Sequence, residues 1–417
     1  MASPDVVEFQ SVESQSVVAV EDNPDAAVRY FVEEAVAIRA SDLFFTSEAT
    51  GVRVQVRHMS AMRTLQTLSL TDGRRCMNFI KTAAGMDLSE RRRPADGRWI
   101  FYSPDGARRD LRINTIPTLH GEDFSLRLLG RSQAGGGLND LGLSRKQLQE
   151  LQLMLRTPGG LILVTGPTGA GKTTTLYGCL HHLNDGVKKL NTIEDPIECE
   201  ITGVRQSQVD LAIGLDFPDL LRSVLRQAPD VILIGEIRDA VTAQTAIRAA
   251  NSGHLVIATM HAPVAVAAVR AMLNYEVHPQ FLASCLLGVV TQRLVRVLCP
   301  RCRTSVDISA SPLTFDEIRP CLREDEGAAI FGHVGCEACH QSGFIDRTGV
   351  FEMLTVNPRI RRLIAEGSDD KEIFAEALRT GMTDFRRAGL LKVAQGTTSL
   401  EELFRVIPAE HLGVEEE

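Results

Sequence analysis

The chain contains a complete phosphate-binding loop. Residues 166–173 read GPTGAGKT, which matches G-x-x-x-x-G-K-T, and only Thr165 separates them from the apolar run LILV. The glycines let the backbone curl so that successive amide groups point at a phosphate, and the helix expected next adds its positive N-terminal end. A chance glycine-rich turn is the alternative, but every fixed position is present. The residues expected to bind the nucleotide are Gly166, Pro167, Thr168, Gly169, Ala170, Gly171, Lys172, Thr173 and Thr174.

Two side chains of this loop carry specific chemistry. Lys172 is expected to neutralise the β- and γ-phosphates of ATP. The hydroxyl of Thr173 is expected to bind Mg²⁺, a task that a serine could share but an alanine could not. ATP and Mg²⁺ are therefore the expected nucleotide and its metal ion.

Acidic residues stand where two neighbouring strands should end. Glu194 closes the run LNTI, and we assign it as the candidate base for the attacking water. Glu236 follows VILIG, so Gly235 occupies the position where an aspartate is usual. We assign Glu236 as the ligand of magnesium or water. The alternative for both acids is a solvated or helix-capping role.

Several basic side chains belong to the same region. His261 follows the run HLVIAT, where it could sense the γ-phosphate, although a lone histidine is more often structural. Arg222, Arg226 and Arg238 flank the region and could equally be surface charges. An added guanidinium favours phosphoryl transfer, but the sequence does not say which arginine supplies it.

The composition favours a protein of several domains. A chain of 417 residues with 44% hydrophobic residues can bury two or three cores. Its net charge of −8 argues against a nucleic-acid partner. The acidic start lacks the features of a signal peptide, and no apolar stretch approaches the about 18 residues that span a bilayer. We therefore expect a cytoplasmic protein that meets a membrane only through partners.

Patterns along the chain predict the domain boundaries. Three consecutive glycines, 135–137, indicate a flexible connection, and Ser144 with Gln147 forms a capping box that opens the next helix. We expect a mobile leader at 1–24, a small α+β domain at 25–131, a linker at 132–143 and a second domain at 144–417.

The second domain is predicted to be α/β. Short apolar runs alternate with helical patterns after the phosphate-binding loop, which favours a largely parallel sheet. After about residue 274 we expect the strands to give out. A helical C-terminal region, interrupted by a cysteine-bearing insert at 299–339, is expected to follow.

Four cysteines have the spacing of a metal site. Cys299 and Cys302 form one C-x-x-C pair, and Cys336 and Cys339 form another. Four thiolates leave no open coordination position, so the pattern predicts a structural tetrahedral zinc site. Redox chemistry at either pair is the alternative. The cysteines expected to serve only in packing are Cys76, Cys179, Cys199, Cys285 and Cys321.

Taken with the phosphate-binding loop, three further segments resemble the ATPases of type II secretion and type IV pilus assembly. NTIEDPIE is similar to the family's Asp box, LRQAPDVILIGEIRD to its Walker B segment and GHLVIATMH to its His box. The resemblance implies a RecA-like P-loop ATPase domain and a smaller N-terminal domain that folds over the nucleotide. It also implies a homo-hexamer that works on an inner-membrane platform protein and is peripheral at the inner membrane.

The resemblance also suggests roles for individual residues. It places Glu194 in the Asp box, Glu236 in Walker B and His261 in the His box. Arg112 and Arg127 match N-terminal arginines expected near the γ-phosphate. These two residues would link hydrolysis to the neighbouring domain.

The chain departs from the family pattern at some positions. ASDLFF replaces a segment that usually carries a histidine and an acid, APVA follows the His box, and QAPD precedes Walker B. The zinc site favours an assembly motor over a retraction motor. A retraction or effector-secretion motor, a RecA-type nucleic-acid translocase and a regulatory protein that binds ATP without turnover remain alternatives.

Overall fold

A computed structural model describes residues 23–59, 61–104, 106–129, 136–310, 312–324 and 326–413. The chain divides into two compact units, Met1–Arg131 and Ser132–Glu417. Most of the predicted leader lies outside the described residues, but Asn23 is the N-cap of the first helix and Pro24 is its first residue. The Asn23 side chain accepts a hydrogen bond from the Ala26 N–H and caps that helix. Among the described residues, no helix has the length and apolar character needed to cross a membrane.

The first unit is an antiparallel sheet with two helices. Its strands follow the order β3-β2-β1-β6-β5-β4. Residues of both helices and of one sheet face form a single apolar core, in which Phe31 and Phe45 meet edge to face at 6.0 Å. The small α+β fold predicted here is confirmed. The elements are α1 (Pro24–Ala37), β1 (Asp42–Ser47), β2 (Val52–His58), β3 (Ala61–Leu68), α2 (Leu70–Ala83), β4 (Ala95–Tyr102), β5 (Arg108–Thr118) and β6 (Gly121–Leu129).

The second unit is built on a seven-stranded sheet with helices. Its elements are α3 (Arg145–Leu155), β7 (Gly160–Thr165), α4 (Lys172–Leu183), β8 (Leu190–Glu194), β9 (Arg205–Gln208), α5 (Phe217–Leu225), β10 (Val231–Ile234), α6 (Ala240–Asn251), β11 (Leu255–Met260), α7 (Ala265–Asn274), α8 (Pro279–Cys285), β12 (Leu286–Leu298), β13 (Thr304–Asp307), β14 (Ala329–Gly332), β15 (Phe344–Thr355), α9 (Pro358–Glu366), α10 (Asp370–Arg379), α11 (Phe385–Ala394) and α12 (Leu400–Val406).

The sheet of the second unit is mostly parallel, as predicted. Its order is β15-β12-β7-β11-β10-β8-β9, and only β15 runs antiparallel to its neighbour. Strands β7, β8, β10 and β11 are buried along their whole length. Such strands read as continuous apolar runs because helices cover both faces of a parallel sheet.

The expectation that strands end after about residue 274 is wrong. β12 and β15, with 13 and 12 residues, extend the same sheet, and β12 lies directly beside β7. The helical C-terminal region therefore begins only at α9. β12 escaped prediction because Thr291, Gln292 and Arg293 interrupt its apolar pattern, although Thr291 and Gln292 are buried. Thr291 and Gln292 find their hydrogen-bond partners in a distant segment, residues 165–175, which the sequence pattern does not reveal.

The second half of the predicted linker is packed. Leu138 and Leu141 are buried in one core cluster with residues of α4. The capping box is confirmed, since Ser144 Oγ accepts from the Gln147 N–H and Gln147 Oε1 accepts from the Ser144 N–H. The residues from 136 onward therefore belong to the packed second unit.

A buried glutamate on β15 caps α7, the helix that follows His261. Glu352 is 2% exposed, and its Oε1 accepts a 2.7 Å hydrogen bond from the Ala265 N–H. The N-cap residue of α7, Val264, has no side-chain oxygen to do this. Burial raises the pKa of Glu352 to about 7, and the hydrogen bond from Ala265 opposes this rise.

We predict that Glu352→Gln flattens the pH dependence of stability. In the folded protein Glu352 retains a proton that the unfolded chain releases above about pH 4.5. The contribution of Glu352 to the free energy of unfolding is therefore complete below about pH 4.5 and is lost as the pH rises through about 7. The shift corresponds to roughly 3 kcal/mol. The variant keeps an acceptor for Ala265 but does not titrate.

Urea unfolding at about pH 5 and about pH 8 measures this difference. Glu366→Gln, at an exposed position on α9, is the control and should behave as the parent protein. An unchanged difference between the two pH values in Glu352→Gln would show that other groups cause it.

Candidate nucleotide-binding site

The parallel strands of the second unit end along a common edge. Ile234, the last residue of β10, pairs with Ile193 on β8 and with Ala258 on β11. Met260, at the end of β11, pairs with Thr165 at the end of β7. Residues that follow these strands therefore emerge near one another, as ligand-binding residues do in open α/β sheets.

The loop between β7 and α4 has the backbone that its glycines require. Gly166, Gly169 and Gly171 have φ values of 144°, 77° and 87°, all in the region that side chains disfavour. A Cβ atom on Gly166 would lie 2.5 Å from the Gln292 carbonyl oxygen, whereas one on Gly169 would meet nothing within 4 Å. The loop thus packs on β12 at one point and faces open space at another, which suits a phosphate cradle.

Lys172 projects into this loop. Its Nζ donates to the carbonyl oxygens of Gly166 at 2.7 Å and Pro167 at 3.1 Å, and lies 3.5 Å from His261 Nδ1. Burial lowers the pKa of Lys172, and the nearby Glu236 carboxylate opposes this effect. The structure therefore brings the predicted residues Lys172, Glu236 and His261 together.

Glu236 is the centre of a charged cluster. Its Oε1 lies 2.9 Å from His261 Nε2, and its Oε2 accepts a 2.6 Å hydrogen bond from Arg238 Nε. Arg238 also reaches Asp195, with 3.3 Å between Nη1 and Oδ2. Of the three arginines flanking this region, Arg238 alone contacts a predicted catalytic acid among the described residues. Arg222 pairs with Asp219 instead, and Arg226 bonds within α5 and its C-terminal end.

The unusual glycine before Glu236 has a steric reason. The Gly235 N–H donates to the Ile193 carbonyl at 2.7 Å, so the chain passes very close to the end of β8. A Cβ atom on Gly235 would lie 3.0 Å from that carbonyl oxygen. A side chain directly after β10 would therefore press on β8, and the carboxylate comes from the next residue.

Glu194 lies in a buried hydrogen-bond network. It is 4% exposed, and Oε2 accepts from Tyr177 OH at 2.5 Å. Oε1 accepts from Thr192 Oγ1 at 2.6 Å and from Gln206 Nε2 at 3.0 Å. Burial and the Glu194 carboxylate raise the pKa of Tyr177, which keeps its hydroxyl a donor. Both oxygens of the predicted base are thus already engaged inside the protein.

A different acid of the same segment contacts the predicted metal ligand. Thr173 Oγ1 donates to Glu198 Oε1 at 3.2 Å, and Glu198 is exposed. Glu198 is the last residue of NTIEDPIE, four positions after Glu194. A hydroxyl and a carboxylate form an oxygen donor set that suits Mg²⁺. These two residues fit a magnesium ion that accompanies a nucleotide.

The predicted arginines of the first unit are neighbours in its sheet. Arg112 on β5 pairs in register with Arg127 on β6, and Arg127 pairs with Asp42 on β1. Arg127 Nε donates to Asp42 Oδ1 at 3.1 Å. Side chains alternate along a strand, so Arg112 lies opposite the face that buries Leu111 and Ile113.

The four paired cysteines converge as predicted. Their sulfur atoms all lie within 4.8 Å of one another. The distances are 3.9 Å for Cys299 and Cys336, 3.8 Å for Cys302 and Cys339, and 3.7 Å for Cys336 and Cys339. Four sulfurs around a tetrahedral zinc at about 2.3 Å would be about 3.8 Å apart. The cluster therefore has the dimensions of a zinc site.

Backbone groups favour the thiolate form at one of these cysteines. Burial raises the pKa of Cys339, but hydrogen bonds from the N–H groups of Cys336 and Gly343, together with those from the Cys336 and Cys302 side chains, outweigh it and lower the pKa to about 7. Among the cysteines expected to serve in packing, Cys321 is exposed, so that expectation is wrong for it. Cys76, Cys179 and Cys285 are buried as expected.

Sequence reasoning missed three residues of this site. Glu198 was within a recognised segment, but Glu194, directly at the end of a strand, was preferred. Arg238 was noted without a role, and its ion pair with Glu236 emerges only in the fold. Gln292 carried no signal because it lies in a strand that was not predicted.

Comparison with known proteins agrees with this geometry. The model of the family described as Type II/IV secretion system protein matches residues 22–405. The type II secretion system protein HxcR of Pseudomonas aeruginosa is 38% identical over 379 residues, which cover 91% of this chain and 76% of that protein. The type IV pilus assembly ATPase PilB of Thermus thermophilus is 37% identical over 90% of this chain, but only 42% of PilB is covered.

A solved structure shows the same fold. The ATPase DotB of Legionella pneumophila superposes with a TM-score of 0.68 at 20% sequence identity, covering 92% of this chain and 97% of DotB. At this identity the likeness concerns the fold alone. The family match and the extent of the sequence relationship together establish that this chain belongs to the Type II/IV secretion system protein family.

Proposed function

We propose that this chain is an ATP-hydrolysing motor of a type II secretion or type IV pilus assembly machine. The names of its relatives HxcR and PilB support this class of machine. The observation that carries the proposal is the contact of Lys172, Glu236 and His261 beside the glycine loop. A cation and a carboxylate at the end of parallel strands are the parts that phosphoryl transfer to water requires.

Each residue of the site then has a role in a RecA-like ATPase unit. The N–H groups of the glycine loop and Lys172 bind the phosphates. Thr173 and Glu198 would hold Mg²⁺, which neutralises charge that develops on the phosphate oxygens. Glu236 orients water near the γ-phosphate. His261 contacts both Glu236 and Lys172, so a phosphate that binds near either side chain would change the contacts of His261.

Two acids of the segment NTIEDPIE compete for the role of base. Glu194 was the candidate from sequence, but three buried hydrogen bonds hold its carboxylate. Glu198 is exposed and contacts Thr173. We assign Glu198 to the metal ion with Thr173 and the orientation of water to Glu236, and Glu194 then keeps the end of β8 in place.

Arg112 and Arg127 complete the proposal. They lie side by side on β5 and β6, and Asp42 holds the guanidinium of Arg127. Paired guanidinium groups suit the γ-phosphate, and their binding to it would couple hydrolysis to the first unit.

The expected assembly is a homo-hexamer on the cytoplasmic side of the inner membrane. It would be peripheral there and would act on an inner-membrane platform protein. The cysteine cluster favours an assembly motor, while a retraction or effector-secretion motor is the nearest alternative. The acidic chain gives a nucleic-acid translocase little support.

Purified protein should hydrolyse ATP in the presence of Mg²⁺. Vesicles that carry the platform protein should stimulate turnover, because a motor couples hydrolysis to its load. Turnover can be measured as phosphate release, with protein-free vesicles and double-stranded DNA as comparisons. Stimulation by DNA alone would support the translocase instead, and an absence of turnover under all conditions would refute the motor.

Conservative substitutions should distinguish the roles of Glu194, Glu198 and Glu236. Glu198→Gln and Glu236→Gln should reduce turnover by about a hundredfold or more while nucleotide binding persists, because the carboxylates act on water and metal. Glu194→Gln should chiefly lower thermal stability, because its amide group cannot accept from all three donors. If Glu194→Gln stays stable and loses turnover while Glu198→Gln remains active, Glu194 is the base.

We further propose that the four clustered cysteines bind one structural zinc ion. Protein prepared without chelators should contain about one zinc per chain, because four thiolates complete its coordination. Elemental analysis measures the content. Cys302→Ser with Cys339→Ser should lose the metal, and Cys321→Ser, in the same insert, should keep it. Metal retained by the double variant would exclude this site.

A further inference from the structure

The glycine loop packs against β12, a strand that sequence patterns did not reveal. β7 and β12 pair in parallel up to Thr165 and Thr291, whose hydroxyls lie 2.8 Å apart. Beyond this point β7 turns into the glycine loop, so the strand ladder supplies no further hydrogen bonds. The next residue of β12 is Gln292, which is 1% exposed.

The side chain of Gln292 continues the bonding where the ladder stops. Its Nε2 donates to the Ala170 carbonyl at 2.7 Å, and its Oε1 accepts from Thr175 Oγ1 at 2.7 Å. A Cβ atom on Gly171 would lie 3.2 Å from the same Nε2. One buried amide therefore holds both the end of the loop and the first turn of α4.

This contact fixes the direction of a phosphate-binding group. In a trans peptide the carbonyl and the following N–H point in opposite directions. With the Ala170 carbonyl directed at Gln292, the Gly171 N–H points away from β12. A loop that cradles phosphate requires its N–H groups to point at the ligand rather than into the sheet.

We propose that Gln292 is a positioning residue for nucleotide phosphate. It holds the Ala170–Gly171 peptide so that the Gly171 N–H faces the phosphate, and it fixes the helical turn that carries Lys172 and Thr173. Gln292 touches neither substrate nor metal. The inference rests on the proposed nucleotide-binding function and adds a residue that acts through the loop.

A second buried glutamine provides a matched control. Gln147 is 3% exposed, and its Nε2 donates to the Phe351 carbonyl at 2.7 Å. Its recorded hydrogen bonds go to Ser144 and Phe351 and to no residue of the loop. Methionine matches glutamine in size and removes its polar group, so Gln292→Met and Gln147→Met should cost similar stability. Only Gln292→Met should weaken nucleotide binding.

The experiment compares affinity and stability in the full chain. A fluorescent ADP analogue gives the dissociation constant, and thermal unfolding without nucleotide gives the stability. Gln292→Met should weaken nucleotide binding by about tenfold or more, since loss of one well-placed hydrogen bond has about that effect. Gln147→Met should bind within about twofold of the parent protein. Thr175→Val keeps the hydrogen bond from Gln292 to Ala170. Its dissociation constant should therefore be closer to that of the parent protein than the dissociation constant of Gln292→Met is.

The outcomes distinguish the positioning role of Gln292 from the proposed nucleotide-binding function. Equal affinity of folded Gln292→Met and the parent protein would overturn the positioning role and leave the proposed function intact. A parent protein that binds no nucleotide would overturn the proposed function and this inference with it. If Gln292→Met does not fold, Gln292→Glu provides the same test, because it keeps the size and the Thr175 acceptor but lacks the donor to Ala170.

Discussion

Parallel pairing of β7 with its neighbours β11 and β12 is the constraint on which the site depends. Together with the pairing of β11 with β10, it brings residues from positions about 166, 236, 261 and 292 to one edge of a sheet, although they are far apart in the chain. Because β7 and β11 are buried along their whole length, apolar packing fixes the positions of their ends. Some polar groups at the edge add stability, as the network around Glu194 does, whereas Lys172, Glu236 and His261 remain available for chemistry.

The acids at this edge divide into two kinds. Glu194 is buried among three donors, and its network joins β8 to α4 through Tyr177. Glu236 is less buried and shares its charge between His261 and Arg238. A carboxylate fixed by buried donors is costly to move, whereas one paired with exposed side chains can exchange partners. The same residue type thus supports the sheet in one place and remains available in another.

Sequence alone predicted the parts of the fold that depend on local patterns. The glycine loop, the capping box at Ser144 and the parallel strands through β11 have local signals, and the cysteine pairs have fixed spacing. β12 was missed because Thr291 and Gln292 are polar residues whose partners come from distant segments. For the same reason Glu198 could not be distinguished from Glu194. Both follow β8 in sequence, and only the fold shows which one has buried donors.

The cysteine cluster connects two strands that are already joined. β12 ends at Leu298, one residue before Cys299, and pairs with β15 along most of its length as an antiparallel hairpin. The register of this pair is held by its own ladder, and Phe315 and Ile318 of the intervening segment pack in one apolar cluster with Val295 of β12 and Val350 of β15. A change in the insert that spares these apolar contacts therefore leaves β12, and with it the support of the glycine loop, in place.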